Sequence, residues 1–519
     1  MRVMSREQLI SHSGFIRRCG RLALGTTLLL ALAACGGGGG GGGGSANGGG
    51  GDGGGGGGGG GGGTANTAPQ VQAGSDQTIE WPVATAQLAG SATDDAAQTL
   101  TYAWTGPADV TFSAADAAAT DVTFPGAGSY TLTLTVSDGS LSGTDTVLVT
   151  VDPAVYPASD TTNDQVDHGW MRAAPADVGM DEAALVEAEN YALSGGGSGM
   201  IVRRGRLVRA WGNIDQRYDL KSTTKSMGGI ALGLAIDNGS VALTDTAASR
   251  LATIGNPPAN HPEWLPEITI QHLATHTAGF EKPGGYIDQI YQPGTTWSYS
   301  DGGLNWLADV LTTVYNEDLA TVLNTRVWTA LGLNSSWGGL GDPGGGAIAD
   351  VHWRDNRLRP EGDPPPAIRK RELASGIFAN TNAMARVGLL FLRKGTWGDQ
   401  RILSESFVST VSTPPAENAA VTNADPANFP GATANYGVLW WTNAGGQLPN
   451  VPTDAYWAWG LFDSLIVVIP SLDIVAVRAG PGVADDATPG VRSWNDFNWN
   501  GDYAVLAPFL DPIVRSVAP

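Results

Sequence analysis

The chain has 519 residues and a formal net charge of −21. That length implies two or more domains, and that acidity argues against nucleic acid as a partner and against a basic patch that would hold anionic lipid. Both cysteines, Cys19 and Cys35, lie in the first 35 residues, which excludes a disulfide framework or a thiolate metal site from the body of the protein.

Arg2, Arg6, Arg17, Arg18 and Arg21 precede a short apolar run, Leu22 to Ala34. Charge followed by a brief apolar stretch is the layout of a secretory signal, and the run is too short for a comfortable membrane span. It ends Leu32-Ala33-Ala34-Cys35-Gly36, which resembles the lipobox of bacterial lipoproteins. The resemblance implies an exported lipoprotein, lipidated at Cys35 and anchored to a membrane through it. Gly36 at the next position implies the outer membrane, with the folded part facing the periplasm or the surface. An ordinary signal peptide with an incidental cysteine is the alternative. Residues 1–35 are read as the signal and 36–66 as a linker. Gly36 to Gly63 is almost unbroken glycine; it cannot bury a core, and as a random coil it spans about 30 Å.

Residues 67–153 change to a period of two. Tyr130 to Val136 alternates apolar residues with threonine, and Thr146 to Val151 is a second strand across an Asp138-Gly139-Ser140 turn. Thr99 to Trp104 makes another strand, with Trp104 as a core anchor. Several short strands in so few residues predict an all-β sandwich. The Asp94-Asp95 loop, the Tyr102-Ala103-Trp104 strand and the closing pair of strands resemble the PKD-like, immunoglobulin-type domains of bacterial surface proteins. A rigid spacer and a glycan- or partner-binding module are both open readings, and the sequence names no partner. Two adjacent carboxylates, Asp94 and Asp95, are a weak calcium signal.

Residues 154–519 are long enough for a catalytic core. Met200 to Trp211 reads as a hairpin. Helices are expected over Ile268 to Thr275, Gly303 to Val314 and Ala383 to Leu392. Strands return over Leu465 to Ile469 and Ile474 to Val477. Strands at both ends with helices between them predict an antiparallel sheet plus a helical region. Gly338 to Pro366 reads as a long loop, either an active-site rim or a plain surface segment.

The chemistry centres on Ser222-Thr223-Thr224-Lys225. Met227, Ile230, Leu234 and Ile236 follow near helical spacing until Asn238-Gly239 stops the run, so Ser222 opens a helix and Lys225 sits one turn on. A hydroxyl needs a base within hydrogen-bond reach, and a lysine desolvated near a positive helix end can serve. Tyr299, on the turn before the next apolar helix, is a second candidate base if a lysine ammonium lowers its phenol pKa.

Ser222-x-x-Lys225 and Tyr299-x-Asp301, with Leu273 to Gly279 between them and Ala374-Ser375-Gly376-Ile377-Phe378 after them, resemble the penicillin-recognising serine hydrolases. That family includes class C β-lactamases, D-alanyl-D-alanine carboxypeptidases, related esterases and 6-aminohexanoate-dimer hydrolases. The resemblance implies a multi-domain chain with an α+β, β-lactamase/DD-peptidase-like catalytic domain behind the sandwich. It also implies an acyl-enzyme: Ser222 attacks, Lys225 and Tyr299 relay protons, and two backbone N–H groups hold the oxyanion.

Two departures matter. Asp301 stands where the family usually has asparagine, and a carboxylate there favours a protonated Lys225 and Tyr299 as base. The third motif has no literal copy; its nearest counterpart is Ala458-Trp459-Gly460-Leu461, with Gly460 allowing close approach and the Leu461 N–H joining that of Ser222 as oxyanion donor. Ala458 and Trp459 lack the cation and hydroxyl that bind a β-lactam or peptide carboxylate. The expected substrate is therefore a carboxylic ester or a small amide, with a D-alanyl-D-alanine carboxypeptidase or β-lactamase as the runner-up. An inactive surface binding protein is the reading from another class. Trp440, Trp441, Trp457 and Trp459 are either an aromatic wall for an apolar group or core residues. His272 and His276 share zinc-ligand spacing but have no third ligand and no glutamate after His272, so a structural role is expected, with no metal and no cofactor.

Overall fold

Alternation along the strands organises both folded parts. The structure, a computed structural model, describes residues 66–81, 84–95, 98–160, 166–251, 257–281, 288–338, 350–356, 366–480 and 503–517. The signal, Cys35 and the glycine tract lie outside the described residues.

In the amino-terminal part, Gly128–Ser137 pairs antiparallel with Ser142–Asp152 across the expected Asp138-Gly139-Ser140 turn. Leu132, Leu134, Val136, Val147, Val149 and Val151 all point inward while the intervening threonines stay outside or at the margin. These strands form a four-stranded sheet in the order Gln77–Glu80, Ser142–Asp152, Gly128–Ser137, Thr101–Thr105. A three-stranded sheet of Thr85–Ala89, Ala119–Thr123 and Thr111–Phe112 shares its core. Trp104 sits in that core and donates its Nε1 proton to Ala117 O. Asp95 accepts from the backbone and hydroxyl of Thr67, a structural task. Among the described residues no group of three His, Cys, Asp or Glu side chains is placed to hold a metal ion.

The larger part is built on a six-stranded, wholly antiparallel sheet. Its order is Arg206–Trp211, Ser198–Arg203, Ile474–Ala479, Ser464–Ile469, Tyr456–Gly460, Trp441–Thr442. The central strands are buried on both faces, so each strand feeds two cores in turn. Met200, Val202, Ile466, Val468, Val475 and Val477 join one core. Ile201, Leu465, Val467, Ile469, Ile474 and Ala476 join the other. Each such aliphatic side chain contributes about 1.5–3 kcal/mol by leaving water. The first core is closed by the helix Thr381–Leu392, which is buried along its whole length. Gly388 permits that close seat, since a Cβ there would come within 2.5 Å of Val475 Cγ1. The second core is closed by the paired helices Glu182–Leu193 and Ala507–Arg515.

One expectation is corrected here. Within the presumed loop from Gly338 to Pro366, residues Val351–Arg354 form a fully buried strand. It joins a four-stranded sheet with Tyr218–Asp219, Ile377–Ala379 and Ser335–Gly338. The flanking glycines and prolines hid a four-residue strand, Val-His-Trp-Arg, too short and too mixed in polarity to show a period.

Candidate active site

The turn that carries Ser222 hangs from that small sheet. Tyr218–Asp219 pairs with Ile377–Ala379, and Leu220 N donates to Ile377 O. The chain then reverses at Lys221, which holds a left-handed φ of +50°. Asp219 stabilises the reversal by accepting from both the backbone N and the Nζ of Lys221. A non-glycine residue in this conformation stores strain, as functional turns often do. It delivers Ser222 in helical geometry at the head of the helix Thr223–Gly228. The Ser222 hydroxyl makes no capping bond, so it faces outward from the helix end. The expected single helix is interrupted at Gly229 and resumes as Ile230–Asp237, stopping at Asn238 and Gly239 as the sequence indicates.

Three predicted side chains converge on one oxygen. Lys225 Nζ lies 3.0 Å from Ser222 Oγ, and the Tyr299 hydroxyl donates to Ser222 Oγ at 2.7 Å. Lys225 Nζ also donates to Asp301 Oδ1 at 2.9 Å and to Ala374 O at 2.7 Å. The Lys225 side chain is 3% exposed and that of Asp301 27%, so the amine is dry while its carboxylate partner touches solvent. Lys225 Nζ stands 4.8 Å from the Tyr299 ring centre. Asp301 begins the helix Asp301–Tyr315, capped by Ser300 Oγ on Gly303 N.

The electrostatics reverse one expectation. The proximity of Lys225 was expected to lower the Tyr299 phenol. Instead, burial pushes its pKa well above the ordinary 10.0, the Asp301 carboxylate adds to the rise, and the Ser222 contact opposes it. Tyr299 is therefore a protonated donor at neutral pH rather than a resting phenolate.

His272 and His276 divide into two structural tasks. His272 Nδ1 accepts from Thr269 N in a capping box at the start of Ile270–Ala274. His276, with φ +60°, accepts from Ser298 N through its carbonyl and from Ser300 N through Nδ1. Its ring stacks on Tyr299 with centroids 4.4 Å apart, so it brackets Tyr299 in sequence and supports it in space. Sequence reasoning missed this role, and missed Phe429, whose ring lies parallel to that of Tyr299 at 5.1 Å. No local pattern marks Phe429; only the long-range approach of its loop does.

Gly460 ends the strand Tyr456–Gly460 directly against the nucleophile turn. A Cβ there would fall 2.1 Å from Leu220 O and 2.9 Å from Thr223 N. Thr223 Oγ1 donates to Ser464 O across the same junction. Leu461 follows on the hairpin turn, half-buried. Arg478 Nη1 holds that turn by donating to Phe462 O and Asp463 O, and Trp459 Nε1 donates to Asp463 Oδ1. The four tryptophans separate. Trp440 packs on Phe391 and Tyr456 in the first core. Trp441, Trp457 and Trp459 lie in the second core with Tyr299. A run of ring contacts leads from Tyr299 through Phe429 and Trp441 to Trp459.

Known proteins resemble this chain in both parts. The family model described as K319L-like, PKD domain matches residues 73–151. An uncharacterised protein of Alkalihalophilus pseudofirmus is 22% identical over 277 residues, covering 51% of this chain and 74% of that protein. Similar solved structures include EstCE1, a hydrolase with promiscuous acyltransferase activity, at 18% identity and a TM-score of 0.45 over 64% of this chain and 98% of that one. Another is the octameric penicillin-binding protein homologue from Pyrococcus abyssi, at 16% identity and a TM-score of 0.44 over 65% of this chain and 78% of that one. The family model described as Beta-lactamase matches residues 183–480, more than half of the chain and the whole environment of Ser222, and the chain belongs to the Beta-lactamase family.

Proposed function

We propose that the protein is a serine hydrolase that works through an acyl-enzyme on a carboxylic ester or a small amide. The observation that carries this reading is the convergence of Lys225 Nζ and the Tyr299 hydroxyl on Ser222 Oγ. Two acceptors, Asp301 Oδ1 and Ala374 O, hold the amine in place, and its remaining position faces the serine. As Ser222 Oγ bonds to the substrate carbonyl carbon, its proton passes to Lys225 Nζ, which enters the step as the neutral amine. The oxyanion is held by the N–H groups of Ser222 and Leu461. When the tetrahedral intermediate collapses, Tyr299 gives its proton to the departing alcohol or amine and is reprotonated from Lys225. Water then repeats the sequence on the acyl-enzyme, losing a proton to Lys225 while Tyr299 returns one to Ser222 Oγ. The raised phenol pKa suits the donor role.

Ala458 and Trp459 occupy the strand next to Gly460, where a cation would bind a β-lactam or peptide carboxylate. This favours an apolar ester or amide over a β-lactam. The Arg-rich start, the short apolar run and Leu32 to Gly36 support a lipid anchor on Cys35, in an outer membrane, facing the periplasm or the surface.

Labelling with a fluorophosphonate is the direct test. Wild type is expected to label and Ser222→Ala to remain unlabelled; equal labelling of the two removes the acyl-enzyme reading, and absent labelling of both favours an inactive binding protein. Rapid hydrolysis of a chromogenic cephalosporin would restore the β-lactamase or carboxypeptidase alternative.

A further inference from the structure

One of the three partners of Lys225 is not a side chain. Ala374 O makes the shortest of its contacts, 2.7 Å, and a carbonyl is only as well aimed as the turn that carries it. That turn runs from Glu372 to Ile377, and Arg354 grips it from the neighbouring buried strand. Arg354 Nε and Nη2 donate to the two oxygens of Glu372 at 2.8 and 3.0 Å. Nη2 also donates to Ser375 O at 3.1 Å, while Ser375 Oγ donates to Glu372 Oε1 at 2.6 Å. Trp353 Nε1 donates to Glu372 O.

The other arm of the same guanidinium reaches elsewhere. Arg354 Nη1 lies 3.5 Å from Asp219 Oδ2, the carboxylate that stabilises the left-handed reversal at Lys221 just before Ser222. Arg354 is 8% exposed. One buried, planar cation therefore touches both the turn that delivers the nucleophile and the turn that aims the lysine. A guanidinium fork does this because it fixes direction as well as charge; a lysine ammonium supplies only the charge.

We propose that Arg354, acting with Glu372, is a positioning residue that sets the Ser222–Lys225 geometry from behind through Asp219 and the Ala374 carbonyl. This rests on the acyl-enzyme reading above. Displacements of about 1 Å in a catalytic pair reduce rates by on the order of 100-fold, and the hydrogen bonds of Arg354 run to these turns.

The test uses Arg354→Met, Arg354→Lys and Glu372→Gln in the full chain beside wild type and Ser222→Ala. The probes are a fluorophosphonate and a p-nitrophenyl ester, with every rate expressed per site that labels at completion. Arg354→Met is expected to lose roughly 100-fold in labelling rate and in kcat, with KM within about twofold of wild type. Arg354→Lys is expected to recover only part of that loss, and Glu372→Gln, which keeps the side-chain shape and so covers a misfolded Met variant, to move in the same direction. If wild type labels and Ser222→Ala does not, yet the Arg354 and Glu372 variants keep wild-type rates per site, the positioning proposal is overturned even if their thermal midpoints fall. Full recovery in Arg354→Lys would also overturn it, since charge alone would then suffice. If Ser222→Ala labels like wild type, the acyl-enzyme reading itself fails, a result separable from the other two.

Discussion

At the scale of single residues, the site depends on what burial does to a phenol. Tyr299 shares its environment with a lysine, yet the loss of water around it and the carboxylate of Asp301 raise its pKa rather than lower it. The sign sets the pH dependence. A group lifted well above 10.0 stays protonated through the neutral range, so its ionisation places no alkaline limb on the acylation rate below that pH. Tyr299 ionisation is therefore expected to contribute no limb to the pH profile of fluorophosphonate labelling below about pH 10. Tyr299→Phe is expected to keep the wild-type pH shape with rates lower by roughly 10²–10⁴. An alkaline rise in wild type that vanishes in Tyr299→Phe would instead restore the phenolate base. Ser222, Lys225 and Tyr299 were legible in the sequence because helix periodicity and turn chemistry allow the set and the family resemblance singles it out. The direction of the Tyr299 shift was not, because it depends on burial contributed by Phe429 and Tyr436 from separate segments.

At the scale of elements, the site is a meeting of a helix start with a strand end. Gly460 belongs to a strand, yet its lack of a side chain is required by the turn at Leu220, which it touches through backbone. Gly460→Ala would place a methyl group 2.1 Å from Leu220 O and force the strand away from the nucleophile. The expected result is a labelling rate at least 10-fold lower and a fold destabilised by about 1–3 kcal/mol, measured by labelling kinetics and thermal melting. Wild-type behaviour in both would remove Gly460 from the site. The elements themselves were largely readable: the Met200 to Trp211 hairpin, the Ser222 helix and the last two strands stand where periodicity put them. Val351–Arg354 was not, since four residues carry too little pattern and their identity as a strand comes from partners at Ile377–Ala379 and Ser335–Gly338.

At the scale of the whole molecule, the sandwich is joined to the larger part by more than a tether. Glu80 pairs with Arg206 at 3.0 Å and approaches Arg393 at 3.5 Å, and Arg393 pairs with Asp473 at 2.8 Å. Burial pushes the Glu80 carboxyl upward while Arg206 and Arg393 oppose the rise. The connecting segment is strapped down as well. Tyr156 packs on Trp397 at 5.1 Å, Val155 O lies where a side chain at Gly205 would stand, and Arg386 Nη2 donates to Ala158 O. These contacts fasten the sandwich to the larger part and leave both the spacer and the binding-module readings open. Glu80→Ala is expected to loosen the junction and speed proteolytic cleavage between residues 153 and 160, with labelling of Ser222 unchanged. Cleavage at the wild-type rate would show that the ion pairs do not hold it.

The sequence by itself picked out the candidate nucleophile with its lysine and tyrosine, the sandwich and the α+β part, and the missing cation beside Gly460. Each of these follows from local spacing, from residue type or from the family resemblance that those motifs carry. Only the tertiary structure decided which proton Tyr299 carries, that Trp440 belongs to a different core from Trp441, Trp457 and Trp459, and that Arg354 stands behind both catalytic turns. Those outcomes depend on desolvation and on contacts between segments far apart in the chain, and neither has a local signature.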